Sequence, residues 1–389
     1  MKALAYLLPA LLANALPICA HAQIAVSAND GKQLAPGERS GTRTADSVSI
    51  IDIGEGRPRV IGTVAAPASM IGPPTSVAVS PDGSFALVTA AQALEAGSVV
   101  KDDSLTVIDL ADPTKPRVVQ TLRAGPGASG VAINRTGTLA LVASTGDDAI
   151  SVCSIVGRRL TRAGIVRLDY QSRPTDVAFS PDGRTALAVT QSAGAIVRLA
   201  VDGTAVTRTG IAIRPGRSPY GITVSRDGRL AINTNLEGQL APAPSAPSVN
   251  GAIIGTVTLI DLASNTVVNS VDVGLTPEHV ALSPDGQYVA VVVLNGTNLP
   301  PEAPDYKPNG LLQVYRLEKA RLVKVAETAS GRWCQGAAWS RDGAMLLLQC
   351  ALAREIEVYR FDGRSLTRDP GATIKLAVRP GALGTALSH

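Results

Sequence analysis

The sequence is poor in aromatic residues: its 389 residues include 7 Tyr, 3 Phe and 2 Trp, or 3% of the chain. Surfaces that stack sugar rings or single-stranded nucleic acid need exposed aromatic rings, so this composition is a poor match for either kind of binding protein. Charge of one sign is also lacking, because 36 Lys and Arg face 32 Asp and Glu with no basic cluster. We therefore predict no nucleic-acid partner.

Metal-ligating residues are scarce as well. Only three histidines are present, and of these His21 lies in a predicted signal peptide and His389 is the last residue. No Cys-x-x-Cys, Cys-x-x-Cys-His or His-x-His pattern accompanies His279, so the sequence predicts no metal site and no cofactor, and a c-type haem is excluded. A single divalent cation held by carboxylates and carbonyls is left open, since no pattern is specific for it.

What is abundant is small apolar residues interrupted by turn formers: 45% of the chain is hydrophobic, with 37 Gly and 26 Pro. This content excludes intrinsic disorder, and the absence of a three-residue Gly period excludes a collagen-like chain. Frequent Pro and Gly also disfavour a helical repeat protein.

The first 22 residues resemble a secretory signal peptide. Lys2 precedes an apolar stretch that ends in Ala20-His21-Ala22, a small-x-small cleavage site, so the mature chain is expected to start near Gln23, in the periplasm or outside the cell. Two alternatives are disfavoured. Lipidation at Cys19 is opposed by the bulky Ile18, and a retained anchor by two prolines. No later segment is apolar and long enough to span a bilayer, so we predict no membrane span.

Six segments of the chain resemble one another, for example Ser76-VAVSPDG and Asp176-VAFSPDG. Their last glycines are Gly83, Gly137, Gly183, Gly228, Gly286 and Gly343, with spacings of 54, 46, 45, 58 and 57 residues. Each unit predicts a short strand, a Ser-Pro-Asp-Gly type turn, a second apolar strand, an alternating third strand and a more polar fourth strand. Four antiparallel strands in a unit of this length are typical of a propeller blade.

The two ends of the chain predict one further blade. Residues 24–28, 47–53 and 60–66 match the second, third and fourth strands of the unit, and Pro380-Gly381-Ala382 matches the start of the first strand. We therefore predict an all-β, seven-bladed propeller over residues 23–389, with its last blade closed by N- and C-terminal strands. A β-sandwich pair is the alternative, but it does not require seven copies of one unit.

Segments such as residues 76–90 (SVAVSPDGSFALVTA) and 140–155 resemble the YVTN-type, lactonase-like β-propeller repeat. The resemblance spans essentially the whole mature chain and implies the same seven-bladed fold. For function it implies three classes: 6-phosphogluconolactonase-like hydrolases, subunits of periplasmic redox enzymes, and exported proteins without an assigned reaction. Fold analogy does not choose among them.

We name the end of the ring where inner strands start and second strands end the collar. The inner-strand starts are Thr75-Ser76, Ser129-Gly130, Thr175-Asp176, Tyr220-Gly221, Glu278-His279 and Gln335-Gly336. Second strands end at Gln92, Asp147, Gln191, Asn235 and Asn295, and linkers add Arg173, Arg217, Arg332 and Trp333. The predicted ligand-binding residues are Asp176, Tyr220, Glu278, His279, Gln335, Trp333, Arg332 and Arg173, because a varied polar collar on apolar strands is typical of a ligand pocket. The alternative is that these residues only hydrate the channel mouth.

Two Pro-rich insertions, residues 236–254 and 295–310, join second to third strands on the collar side. We expect either a lid or docking rim, or disordered decoration.

Acid–base catalysis is a further hypothesis for the collar. His279, Glu278 and Asp176 are the candidate catalytic residues for a lactone hydrolase, which needs a base for water and a group that stabilises the carbonyl oxygen. Adjacent residues of a regular strand point to opposite faces, so at most one of Glu278 and His279 is expected to face the channel. No Gly-x-Ser-x-Gly motif is present, which disfavours a serine hydrolase.

Cys334 and Cys350 flank one repeat turn symmetrically and are predicted to lie opposite each other across a hairpin. In an exported protein this placement predicts a disulfide, with two buried thiols as the alternative. Cys153 falls in a third strand and is expected to be a buried small hydrophobe.

The sequence leaves three functions open. The first is a monomeric binding scaffold that engages a small molecule or a protein at the collar. The others are a lactonase-like hydrolase acting at the same end, and an accessory subunit of an exported redox enzyme. The few aromatic rings single out Trp339 in an inner strand, with Trp333 and Tyr220 at the collar.

Overall fold

The computed structural model describes residues 23–34, 38–54, 57–70, 72–236 and 254–386. These residues form seven antiparallel sheets, which confirms the predicted seven-bladed propeller with four strands in each blade; the sheet of blade 7 has one additional two-residue strand. The predicted signal peptide (1–22) and nearly all of the insertion 236–254 lie outside the described residues. In the part of the chain that the structure describes, no helix has the length and apolar character needed to span a bilayer.

The first four blades follow the chain from the N-terminus. Blade 1 contains β1 (Ile24–Asp30), β2 (Ser47–Asp52) and β3 (Arg59–Ala65). Blade 2 contains β4 (Val77–Val79), β5 (Phe85–Glu95), β6 (Ser98–Asp109) and β7 (Arg117–Arg123). Blade 3 contains β8 (Ala128–Ile133), β9 (Leu139–Ser144), β10 (Ala149–Val156) and β11 (Arg159–Arg167). Blade 4 contains β12 (Pro174–Phe179), β13 (Thr185–Thr190), β14 (Ala195–Asp202) and β15 (Ala205–Ile213).

The remaining blades repeat the order. Blade 5 contains β16 (Pro219–Val224), β17 (Leu230–Asn235), β18 (Gly255–Asp261) and β19 (Thr266–Gly274). Blade 6 contains β20 (Pro277–Leu282), β21 (Tyr288–Val293), β22 (Gly310–Glu318) and β23 (Arg321–Ser330). Blade 7 contains β24 (Cys334–Trp339), β25 (Met345–Cys350), β26 (Glu355–Phe361), β27 (Leu366–Arg368) and β28 (Ile374–Lys375). Two 3-10 turns are Ser40–Thr42 and Pro370–Ala372.

The C-terminal strand β29 (Arg379–Thr385) supplies the inner strand of blade 1 by pairing antiparallel with β1. Arg379 fixes this closure and is only 2% exposed. Its guanidinium donates to Glu38 Oε2 at 2.5 Å and to the carbonyl oxygens of Ala351 at 3.1 Å and Gln33 at 3.2 Å. The C-terminal strand, the N-terminal segment and blade 7 are therefore joined by one buried cation.

The hydrophobic core lies between the blades. Each cluster of buried side chains draws on two neighbouring sheets; Val48 and Ile50 of blade 1, for example, pack with Val79 and Val88 of blade 2. Such interfaces are filled by Ala, Val, Leu and Ile, which explains how a chain with few rings builds a large core.

Trp339 is the exception that the sequence singled out. Its ring lies 5.6 Å from that of Phe361, which in turn lies 5.0 Å from Tyr288, both in edge-to-face geometry. The indole Nε1 donates to Ala281 O at 3.0 Å. Trp339 therefore bridges blades 6 and 7, and its role is packing as well as channel lining.

The turns at the opposite end from the collar share one set of contacts, and we call this the turn end. In blade 4, Ser180 Oγ donates to Asp182 Oδ1 at 2.6 Å and accepts from Thr185 N at 3.0 Å. The turn closes at Gly183, where φ is +69° and a side chain would be strained. Equivalent serine–aspartate bonds recur at Ser80, Ser225, Ser283 and Ser340.

Candidate functional site

A β-bulge marks the start of nearly every inner strand in the described residues. The pairing register between inner and second strands shifts at Ala128/Val131, Pro174/Asp176, Pro219/Ile222, Pro277/His279 and Cys334/Ala337. These shifts fall on the predicted collar residues. A bulge bends the strand and re-aims a side chain, so the collar is where the repeat departs from regular strand geometry.

Collar hydroxyls link the inner strands of successive blades. Ser129 Oγ donates to Thr175 O at 3.0 Å, and Thr175 Oγ1 donates to Tyr220 O at 3.0 Å. The backbone N–H of Val131 donates to Thr75 O, also at 3.0 Å. These bonds link the inner strands of blades 2 to 5 at the collar, so Ser129 and Thr175 have a structural role there.

Asp176 adds a further link between two blades through its carboxylate. Oδ1 accepts from Val177 N at 2.8 Å, and Oδ2 accepts from Ile222 N on the next blade at 2.9 Å. The residue is 2% exposed, and burial raises the pKa of its carboxyl to about 7 despite these donors. Asp176 therefore clamps two blades, with both carboxylate oxygens occupied by backbone donors.

Glu278 and His279 reach the neighbouring blade in the same way. Gln335 Nε2 donates to Glu278 Oε2 at 2.6 Å, and Ala337 N donates to His279 Nδ1 at 3.1 Å. Burial raises the pKa of Glu278 to about 7 and lowers the pKa of His279 to about 4. Because Nδ1 accepts a hydrogen bond, neutral His279 carries its proton on Nε2. His279 lines the central channel, whereas Glu278 is turned towards Gln335.

Tyr220 lies half-buried between these acids. Burial raises the pKa of Tyr220 above its ordinary value, the charges of Glu278 and Asp176 add to the rise, and the charge of Arg173 opposes it. Four of the predicted site residues are thus close enough to act on one another electrostatically. Arg173 itself is exposed, and its backbone N–H donates to Asp148 Oδ1 at 2.9 Å.

The predicted collar residues Arg332 and Trp333 lie under the insertion 295–310. Arg332 Cζ is 5.5 Å from the ring centroid of Tyr306, a cation–π contact. The Trp333 N–H donates to Oγ1 of the fully buried Thr297 at 3.0 Å. This insertion therefore packs on the linker before β24 and forms an ordered rim above blades 6 and 7.

The second-strand ends do not all lie at the collar. β5 and β6 continue past it as a hairpin with its turn at Ala96-Gly97, so Gln92 lies inside β5, exposed and paired with Lys101. The prediction that Gln92 ends its strand is wrong, because the hairpin extends beyond the blade. In blade 3, Asp147 forms an ion pair with Arg167 at 2.7 Å.

Several buried polar atoms at the collar have no protein partner within the described ranges. They are Gln191 Oε1, Asn233 Oδ1, Asn235 Oδ1, Asn298 Oδ1, Arg332 Nε, Gln335 Oε1 and both amide atoms of Gln349. Gln335 and Gln349 lie on paired strands but are directed to opposite faces of blade 7. Gln335 donates to Glu278 of blade 6, whereas Gln349 alternates with Leu348 and shares the face of Leu347 and Ile356, which packs on blade 1. An unsatisfied buried amide is costly unless a water molecule or a ligand pairs with it, so this concentration of groups makes the collar the candidate site.

Gln349 was not among the collar residues predicted from the sequence, although one sequence feature points to it. It is the polar member of the apolar second strand Leu346-Leu347-Leu348-Gln349-Cys350, and it is fully buried. A buried glutamine in a strand that packs between two blades needs partners on both amide atoms. The sequence alone does not reveal this, because the strand's position next to the bulge at Gln335 depends on the fold.

The cysteines occupy the expected places. Cys334 and Cys350 are register partners, and the structure joins them by a disulfide across β24 and β25. Cys153 is free and buried, and burial raises the pKa of its thiol to about 11. A thiol held protonated in this way is a small apolar residue rather than a nucleophile.

One cluster of potential metal ligands occurs in the described part of the chain: the sulfurs of Cys334 and Cys350 with a Glu357 carboxylate oxygen. The two sulfurs are bonded to each other and are not thiolates. Glu357 forms an ion pair with Arg368 at 2.6 Å and accepts from Tyr359 Oη at 2.6 Å. The sulfurs are therefore used in the disulfide, and the Glu357 carboxylate is paired with Arg368 and Tyr359.

Fold and collar together define a seven-bladed β-propeller with a polar, bulged collar. Comparison with models of known families and with curated protein sequences gives no match. Among solved structures the chain is similar to a provisional 6-phosphogluconolactonase from Bacteroides uniformis, with 16% identity, a TM-score of 0.70, and 94% of this chain and 99% of that chain covered. A second provisional 6-phosphogluconolactonase, from Bacteroides fragilis, gives 16% identity, a TM-score of 0.68 and coverage of 95% and 99%.

The chain is also similar to hydrazine synthase from Kuenenia stuttgartiensis, with 18% identity, a TM-score of 0.58, and 77% of this chain and 79% of that chain covered. At such identities the likeness establishes the propeller fold and nothing finer.

Proposed function

We propose that this protein is an exported propeller that binds a small polar molecule at the collar around blade 7. The observation that carries the proposal is the pair Gln335 and Gln349, which are 3% and 0% exposed and hold amide atoms without a protein partner. Glu278 lies beside Gln335, and burial holds its pKa near 7, so it donates or accepts a hydrogen bond at neutral pH.

The chemistry of this group favours a ligand with several hydroxyl or amide groups. Two glutamines and one carboxyl offer both donors and acceptors, which suits a polyol or sugar acid better than an apolar molecule. The rim of Arg332 and Tyr306 above them supplies a cation and an aromatic face. A recessed set of this kind fits a small molecule, whereas a flat protein surface does not reach buried amides.

The lactonase-like alternative is supported by the likeness to the provisional 6-phosphogluconolactonases and by two carboxyls with pKa near 7. Against it, Asp176 and His279 each hold a backbone N–H of the next blade. The single lone pair of His279 Nδ1 is therefore not free to accept a proton from water, and Asp176, whose oxygens each keep a second lone pair, is only 2% exposed. Binding is therefore the better supported function.

Isothermal titration of the mature chain with D-gluconate and with D-glucono-1,5-lactone tests both functions. We expect gluconate to bind wild type and to lose about tenfold or more in affinity in Gln349→Leu, since a buried amide that pairs with the ligand contributes about 1–2 kcal/mol. Ser192→Ala, an exposed position at the collar, is the matched control. Acid release from the lactone faster than in buffer, and lost in Glu278→Gln, would favour the hydrolase; no binding of either compound would reject the polyol proposal.

The accessory-subunit alternative needs a partner protein. Affinity capture from a periplasmic extract with the wild-type chain addresses it, with a variant lacking the exposed hairpin turn at Ala96-Gly97 as the comparison. Capture of a cofactor-bearing enzyme that depends on this hairpin would favour that function over a free ligand-binding protein.

A further inference from the structure

The turns at the turn end carry an alternation that the fold does not require. The second turn residue is Pro81, Arg135, Pro181, Arg226, Pro284 and Arg341 in blades 2 to 7. Proline presets φ at this position, and other residues are tolerated there. Arginine in every second blade therefore adds a charge that turn formation does not need.

These arginines are exposed and unpaired. Among the described residues, the side chains of Arg135, Arg226 and Arg341 form no ion pair and no hydrogen bond. Arg226 is nonetheless held in place: a Cβ on Gly286 of the next turn would lie 3.2 Å from Arg226 Cδ, so its methylenes lie across that glycine. An arginine whose methylenes are packed and whose guanidinium group has no protein partner is well placed to bind an anion.

Two of the three reach the central channel. A cavity of about 130 Å³ runs along the inner strands, with Arg135 and Arg226 at the turn end and Asp176 and His279 at the collar end. Its walls between these ends are largely apolar and include Ile133, Val224 and Leu282. Arg341 has the same position in its turn but does not line the cavity.

The negative charges nearby are already engaged. Asp227, next to Arg226, accepts from Ser225 Oγ at 2.6 Å and from Arg229 N at 3.1 Å. The turn of Arg135 reads Asn134-Arg135-Thr136-Gly137 and has no aspartate. Both arginines therefore line the cavity without a carboxylate of their own turn reserved for them.

We propose that the turn end of the channel is a second binding site, specific for a small organic monocarboxylate. The carboxylate lies at the turn-end mouth of the cavity, which Arg135 and Arg226 line and where charge-assisted hydrogen bonds are strong, and the apolar body of the ligand enters the channel. The size is set by the cavity, since an apolar cavity of about 150 Å³ accommodates a benzene ring. This site lies at the opposite end of the channel from the proposed polyol site and does not depend on it.

Titration calorimetry of the mature chain with benzoate tests the proposal. Benzoate is expected to bind, and benzyl alcohol and inorganic sulfate to bind at least about tenfold more weakly, because one lacks the charge and the other the apolar body. Arg226→Gln and Arg135→Gln are each expected to weaken benzoate about tenfold, and Arg341→Gln, the matched control, to leave it unchanged. Thr223→Phe, which places a ring in the channel wall, is expected to exclude benzoate.

Three outcomes would overturn the proposal: no benzoate binding to wild type, equal loss in Arg341→Gln and Arg226→Gln, or sulfate binding as tightly as benzoate. A circular dichroism melt of each variant separates loss of binding from loss of fold, and Arg226→Gln carries the test if Thr223→Phe fails to fold. Gln349→Leu is expected to leave benzoate binding intact, which separates this site from the collar.

Discussion

Carboxyl groups at the two ends of the same inner strand have pKa values shifted in opposite directions. At the collar, Asp176 is 2% exposed and burial raises its pKa to about 7. Six residues later, at the turn end, the Ser180 hydroxyl and the Arg184 backbone N–H hold the pKa of Asp182 below its ordinary value. The strand β12 therefore leads from a buried acid with a raised pKa to an exposed acid with a lowered pKa.

The difference shows where the repeat is uniform and where it is specialised. Turn-end side chains bond within their own turn, as Ser180 does with Asp182 and Thr185. Collar side chains bond across blades, as Thr175 does with Tyr220. Local contacts can be copied from blade to blade, whereas cross-blade contacts depend on the neighbour. Substitutions at the collar are therefore expected to have larger and less local effects.

The largest effect is expected at Arg379, the buried cation that closes the ring. Arg379→Ala leaves Glu38 with Arg354 as its remaining cation and removes the Arg379 donor from two blade 7 carbonyls, and breaking a buried ion pair typically costs about 3–5 kcal/mol. Urea unfolding should show a loss of that size. Arg123→Ala, whose side chain is 86% exposed beside Asp103, is the control and should change the unfolding free energy by about 1 kcal/mol or less.

The disulfide at the collar of blade 7 should come next. Cys334 and Cys350 are 16 residues apart, and cross-linking a loop of about this length is worth about 3 kcal/mol in the chain-entropy description. Cys334→Ala/Cys350→Ala should be destabilised by about that amount, and dithiothreitol should lower the melting temperature of wild type but not of the double variant.

Cys153→Ala provides the control, because its melting temperature should still respond to dithiothreitol. Intact mass without reduction should be lower than the reduced mass by two hydrogens. Three alkylated thiols in the unreduced mature protein would contradict the cross-link.

Much of the fold was predictable because the turn end is local. The spacing of Gly83, Gly137 and Gly183 located the blades, and the match of Pro380-Gly381-Ala382 to other inner-strand starts predicted the closure that β29 shows. These predictions needed only local sequence features: a glycine in each turn and the alternation of apolar and polar residues in each strand.

The location of the collar was predictable from the sequence, but the contacts of its residues were not. Tyr220, Glu278 and Gln335 were expected there, yet the partner of each is on another blade. Gln349 and Arg379 were missed because their meaning comes from burial between segments far apart in the chain; Arg379 contacts Glu38 across the ring closure. Bulges at the inner-strand starts were missed as well, since they arise from packing against the next blade.

The pH dependence of stability should be opposite at the two ends. Folded Glu278 has a pKa near 7 against an ordinary 4.5, so between these values the unfolded chain loses a proton that the folded chain keeps, and stability falls as pH rises. Glu278→Gln keeps the bond with Gln335 and removes this penalty. It should be more stable than wild type by about 3 kcal/mol at a pH of about 8 and equal to it at a pH of about 4.

Asp182→Asn is the matched comparison at the turn end. Its lowered pKa means that ionised Asp182 stabilises the fold above its ordinary pKa of 3.8 and that this contribution is lost as pH falls. The variant should therefore be less stable than wild type at a pH of about 8 and equal to it at a pH of about 2. If the stability difference from wild type changed with pH in the same direction for both variants, the two ends would not differ in the way predicted.

The smallest effect is expected from the repeated turn serine. Ser180→Ala removes the acceptor for Thr185 N and the donor to Asp182 Oδ1, and a single hydrogen bond of this kind contributes about 1 kcal/mol. The loss should stay within blade 4, so hydrogen exchange should quicken at Thr185 while the collar amide of Ile222 is unaffected. Faster exchange at Ile222 would show that the turn end is coupled to the collar, because Ile222 N is held by Asp176 on the same strand as Ser180.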